Sequence, residues 1–110
     1  MLILLIAGTY SRNRVWNSEV ELWTDCVKKS PNKDRPHYNL AKAFSTQAKY
    51  QEAISHLNEA LQINPNFAEA HFNLGNAYLR AGNRGLALKE YDILKAMNPG
   101  LADALRQRIK

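Results

Sequence analysis

The sequence predicts an all-α fold, a short solenoid of antiparallel helix pairs, and three observations carry that expectation. Residues 34–67 and 68–101 align with one another without a gap. Within each copy the apolar residues recur at the three- and four-residue steps of a helix, with no strand-type alternation. Each copy also carries Asn-Pro near its end, at Asn64-Pro65 and Asn98-Pro99. Proline cannot continue a helical ladder and disfavours helix in the residue before it.

Each copy divides into two amphipathic halves. In the first copy a helix is expected over 38–46, a turn at Gln47-Ala48-Lys49, and a second helix over 50–63. In the second copy Phe72, Leu74, Gly75, Tyr78 and Leu79 share a helical face. Ala81-Gly82-Asn83 then reads as a helix end followed by a turn. Leu86, Ala87, Tyr91, Leu94 and Met97 begin the periodicity again. The copies agree residue by residue: Tyr38-Asn39-Leu40 with Phe72-Asn73-Leu74, Phe44 with Tyr78, and Ala53 with Ala87. A single helical hairpin cannot bury its own apolar face, so it stacks on a copy of itself.

The period extends in both directions. Pro31, Trp23 and Cys26 stand 34 residues before Pro65, Leu57 and Ala60, although Glu19 falls where an alanine should be. Residues 18–33 are therefore read as the second helix of a degenerate repeat, with Ser18 and Glu21 as its capping box. Residues 102–110 are read as a capping helix. Its periodicity begins at Leu101 and places Leu101, Leu105 and Ile109 on one face.

The quoted residues identify the repeat. His71-x2-Leu74-Gly75-x2-Tyr78, Ala87-x3-Tyr91 and Pro99 resemble the tetratricopeptide repeat (TPR), as do His37-x2-Leu40-Ala41-x2-Phe44, Ala53-x3-Leu57, Ala60 and Pro65. Both copies put histidine where the family favours tryptophan, and Leu94 stands where it favours a small residue. Looser packing is expected at those points. The resemblance implies a concave face lined by the first helix of each copy, where a protein or extended peptide would bind. The candidates on that face are Arg35, Tyr38, Asn39, Lys42, Phe72, Asn73, Asn76 and Arg80, with Ser45, Thr46, Glu69 and Leu79 beside them. Asn39 and Asn73 resemble the asparagine ladder with which TPR superhelices grip a peptide backbone, a task an amide suits because it both donates and accepts. Asn39, Lys42, Asn73 and Arg80 also resemble part of the carboxylate clamp of chaperone-binding TPR proteins. Tyr38 departs from that pattern, because the clamp has a basic residue there.

Composition narrows the rest. The chain is 45% hydrophobic and 23% charged, which fits a folded domain rather than a disordered one. Cys26 is the single cysteine, so neither an intrachain disulfide nor a cysteine-built metal centre is possible. A net charge of +5 can attract acidic partners, nucleic acid or anionic lipid. Nucleic-acid grooves interleave aromatics with basic residues. Here the aromatics recur at core spacing, so no nucleic-acid partner is expected. His37 and His71 share one repeat slot and are expected to pack, His56 to lie on the surface, and Cys26 to be a small buried residue. No nucleophile, carboxylate pair, cofactor motif or metal-ligand spacing is evident. The expectation is a non-enzymatic interaction module with no catalytic residue, cofactor or metal.

The first residues raise a separate question. Met1 to Ala7 is apolar but far shorter than the ~20 residues that span a bilayer. It reads either as the first helix of the degenerate repeat, with Ile3, Ile6 and Tyr10 inward, or as the end of a transmembrane helix, and we favour the latter. The run from Met1 through Ser11-Arg12-Asn13-Arg14-Val15-Trp16, Leu22-Trp23 and Lys29-Ser30-Pro31-Asn32 to Tyr38-Asn39-Leu40 is similar to a known junction. There, multi-pass membrane proteins related to O-mannosyltransferases pass into a C-terminal TPR region. This implies a membrane association through Met1–Trp16, with Arg12 and Arg14 at headgroups and Trp16 at the interface. A cytoplasmic location and self-association through exposed solenoid ends are the alternatives.

Overall fold

The computed structural model describes residues 19–109. Met1–Trp16 and Ser18, the expected cap, lie outside them. A helix covers residues 19–29 in the described part (α1). Five more follow: α2 (Asp34–Thr46), α3 (Tyr50–Ile63), α4 (Ala68–Arg80), α5 (Arg84–Met97) and α6 (Pro99–Ile109). The described residues contain no strand. α2 packs on α3, α3 on α4, α4 on α5, and α6 on both α5 and α4, so each helix from α2 to α6 meets near neighbours along the chain. That is the all-α stacked solenoid the repeat predicts.

The two intra-pair turns are built alike. After α2 the Lys49 amide donates to the Phe44 carbonyl and Ala48 to Ser45. After α4 the Asn83 amide donates to Tyr78 and Gly82 to Leu79. The bond that spans more residues in each turn joins the second residue past the cap to the helix interior. Such a closure requires a left-handed residue. Gly82 supplies it at φ 86°, while Ala48 supplies it at φ 60° with a side chain in the way.

Asn98-Pro99 acts differently from the sequence expectation. It ends α5, but α6 starts at Pro99 itself rather than at Leu101. Proline is tolerated in a first turn because its missing N–H has no intrahelical partner there. The Asn98 side chain accepts from the Leu101 amide, so the residue that stops one helix caps the next.

The core lies in two layers. Ala41, Ala53, Leu57, Phe67, Ala70, Leu74 and Ala77 are buried between α2, α3 and α4. Ala87, Leu94, Ala102, Leu105 and Ile109 form the second layer between α4, α5 and α6. Tyr78 packs against both. The looser packing expected at Leu94 does not occur: it is fully buried, and small Ala102 lies in the same layer. Nor are the histidine slots loose. His37 and His71 are buried because both ring nitrogens find partners, with Nε2 3.0 Å from the Pro31 and Pro65 carbonyls respectively. Cys26, expected to be buried, is only partly covered, whereas its counterpart Ala60 is fully buried.

Candidate functional site

The helical repeat places Lys42, Ser45 and Thr46 of α2 across from Asn73, Asn76, Ala77 and Arg80 of α4. Tyr50 at the start of α3 and Arg108 of α6 complete a cavity of about 340 Å³. These polar side chains line it because the apolar residues of α2 and α4 are taken up by the core on the other side. Among the described residues none lining this cavity is acidic, whereas Lys42, Arg80 and Arg108 bring three cations to it. A smaller hollow of about 210 Å³ continues along α2, lined by Asn39, Lys42, Ala43 and Thr46 with Glu19 and Trp23 of α1. Lys42 and Thr46 belong to both.

The eight candidate residues do not all reach these hollows. Lys42, Asn73, Asn76 and Arg80 line the larger one, and Asn39 the smaller. Arg35, Tyr38 and Phe72 line neither. Tyr38 packs against Phe67, ring centroids 4.8 Å apart, and Arg35 covers the Phe67 ring at 5.2 Å. The Lys42 ammonium sits 5.5 Å from the centre of the Tyr38 ring. Tyr38 therefore supports Lys42 from outside the hollows, and its hydroxyl is hydrogen-bonded with the Asn73 side chain. Burial raises the Tyr38 pKa while that bond works in the opposite direction. Phe72 packs into the second core layer, with the Arg108 guanidinium 5.7 Å from its ring centre.

Sequence reasoning missed Arg108, Tyr50 and Trp23. Arg108 is the one with a charge to contribute. The repeat gave no sign of it, because it stands 34 residues after Leu74, a core position. α6 begins at Pro99, whereas α4 begins three residues after the matching Pro65. The two helices are therefore not equivalent, and the period cannot be carried onto α6.

A second polar cluster surrounds the histidine slots. In the second copy, His71 Nδ1 lies 2.6 Å from Glu90 Oε1 and both side chains are nearly buried. With Nε2–H donating to Pro65, the short contact needs one further proton between Nδ1 and the Glu90 carboxyl, which the ring holds when it is an imidazolium. The Glu90 bond accordingly raises the His71 pKa, against the desolvation that lowers it. In the first copy the position of Glu90 is taken by His56. His56 is not the surface residue expected, because its ring lies beside those of His37 and Phe44, with centroids 5.6 and 5.7 Å away. Burial lowers the His56 pKa, Glu59 raises it, and His37 lowers it further. Among the described residues no helix is long and apolar enough to cross a membrane.

Comparison with known proteins agrees with this geometry. Residues 46–82 match the TPR repeat family model. A stretch of 63 residues is 35% identical to human protein O-mannosyl-transferase TMTC1, and the mouse protein matches equally. That stretch is 57% of this chain but 7% of the relative's length. Among solved structures, the TPR2B domain of yeast Sti1, in a complex with pHsp70, superposes with a TM-score of 0.77 at 23% identity, covering 93% of this chain and 88% of that one. The second TPR domain of human RPAP3, bound to the HSP70 peptide SGPTIEEVD, gives 0.80 at 18% identity, covering 93% and 87%. Residues 46–82 thus match the tetratricopeptide repeat, and the described helices stack in the solenoid fold of tetratricopeptide-repeat domains.

Proposed function

We propose that the chain is a protein-interaction module whose groove holds an extended, acidic segment of a partner, and that it performs no chemistry of its own. The cavity between α2 and α4 carries this reading, with Lys42, Arg80 and Arg108 converging on it. Cations in a half-enclosed groove attract carboxylates and suppress cationic competitors. Asn73 and Asn76 add amides that can pair with a peptide backbone, and Asn39 offers the same farther along α2. The carboxylate-rich peptide held by the RPAP3 domain supports the same polarity.

The test uses fluorescence anisotropy with labelled SGPTIEEVD and a version in which Glu and Asp become Gln and Asn. The acidic peptide should bind, weaken as salt rises, and lose about tenfold in affinity with Lys42→Ala or Arg80→Ala, a change of ~1.4 kcal/mol. Equal binding of the neutral peptide would sink the proposal.

A second reading rests on the identity to TMTC1. In it the chain is an accessory segment of a membrane-anchored glycosyltransferase, and the groove presents an acceptor polypeptide. Fractionation of the endogenous protein separates the two. Recovery with membranes, resistant to high salt, supports the accessory reading; recovery free of membranes excludes it.

A further inference from the structure

The first helix pair places three potential metal ligands together. His37 Nδ1 on α2 lies 3.4 Å from His56 Nδ1 and 3.1 Å from Glu59 Oε2, both on α3. Their donor atoms all lie within 4.8 Å of one another. We propose that His37, His56 and Glu59 form a binding site for a divalent transition-metal ion of the zinc type.

Geometry is the first argument. Bonds of about 2.0–2.1 Å at tetrahedral angles put neighbouring ligand atoms about 3.3 Å apart. The two separations from His37 Nδ1 bracket that value, and the donor atoms of His56 and Glu59 lie within 4.8 Å of each other. His56 and Glu59 are three residues apart on one helix and therefore share a face. The partly exposed Glu59 can draw in toward a bound ion by rotating about its own side-chain bonds.

Tautomer chemistry is the second. The Pro31 carbonyl accepts from His37 Nε2–H, so in the neutral ring Nδ1 carries a lone pair directed at the cluster. Metal-bound histidines are held this way, with the remote N–H given to a backbone carbonyl. One proton can satisfy the contact between His37 and His56. A metal ion in place of that proton would be shared by all three groups, Glu59 Oε2 included. The second copy provides an internal comparison: there the same slot holds one histidine and one carboxylate, and a single shared proton suffices for His71 and Glu90. The first copy has three groups instead of two.

Burial and donor type set the ligand class. His37 is held rigidly, its side chain 4% exposed, whereas the Glu59 side chain is 51% exposed. Water can therefore reach a fourth position, as in three-ligand zinc sites. Two imidazoles favour zinc or cobalt over magnesium and calcium, which prefer all-oxygen sets. A bound ion would clamp α2 to α3 near the Pro31 turn.

The experiment takes tag-free, chelator-treated protein and adds Zn²⁺ alone, followed by calorimetry and thermal unfolding. One ion should bind per chain and raise Tm, Co²⁺ should give the visible absorption of four-coordinate cobalt, and Mg²⁺ should do neither. Glu59→Gln should weaken Zn²⁺ by about tenfold or more, and His56→Phe should abolish binding while the helical circular dichroism persists. Cys26→Ser should leave affinity unchanged. Absence of Zn²⁺ binding to the parent chain would overturn the site. So would affinity undiminished in both His56→Phe and Glu59→Gln, or affinity lost in Cys26→Ser.

Discussion

Ala48 and Gly82 hold the same turn position, both with positive φ, but only glycine adopts that conformation without steric cost. A left-handed alanine costs about 1–2 kcal/mol, partly offset because glycine has more freedom to lose from the unfolded chain. Ala48→Gly should therefore stabilise the protein by roughly 0.5–1 kcal/mol in denaturant unfolding, and Gly82→Ala should destabilise it by a similar amount. His71 supplies a pH signature. Its pKa is raised above the ordinary 6.5, first by the bond to Glu90. The stability it contributes is thus complete below about 6.5 and is lost as pH rises through the elevated value. Unfolding free energies measured from pH 6 to pH 9 should fall for the parent chain and change less for Glu90→Gln. The histidine slot was legible in the sequence from the 34-residue recurrence. Its partners were not, because His71 and Glu90 sit on different helices and meet only once those helices cross.

At the scale of elements, α6 closes the solenoid through one close approach. A methyl group added at Gly75 would lie 2.6 Å from Leu105 Cδ2, and Leu105 is fully buried. Gly75→Ala gains helix propensity but forces Leu105 to shift, whereas Leu105→Ala leaves a cavity costing about 2–5 kcal/mol. Since the two changes act on the same space, their combined effect should fall short of the sum of the singles. A double-mutant cycle in denaturant should give a coupling of about 0.5–3 kcal/mol, and strict additivity would show that the contact is unimportant. The periodicity of Leu101, Leu105 and Ile109 announced a helix, and Gly75 stood within the repeat motif. That Leu105 makes the approach followed from neither. It depends on α6 starting at Pro99, which turns Leu105 toward Gly75 and Arg108 toward Phe72 and the groove.

On the scale of the whole molecule, stability is shared between two core layers joined at Tyr78. In such a stack each layer depends on its neighbour, so damage at one end propagates. Ending the chain after Asn98 uncovers Leu94 and Ala87 and removes Arg108 from the groove. We expect Tm, followed by circular dichroism, to fall by about 10 °C or more. Binding of an acidic peptide should weaken even at temperatures where the shortened chain is still helical. Replacing Asn39 and Asn73 together with alanine should reduce capture of a groove partner while leaving helicity unchanged, though Asn73→Ala also removes the partner of the Tyr38 hydroxyl. Adding Tyr38→Phe as a control separates the loss of that bond from the loss of a peptide contact.

The helices, their order and the polar face of α2 and α4 were determined by the sequence alone. These depend on interactions within a few residues, and the chain writes them twice. The convergence of Lys42, Arg80 and Arg108, the tucking of His56 beside His37, and the closure of Leu105 on Gly75 were decided only by the tertiary structure. Groups on separate helices become neighbours through the crossing of those helices, and a period read along the chain holds no record of a crossing angle.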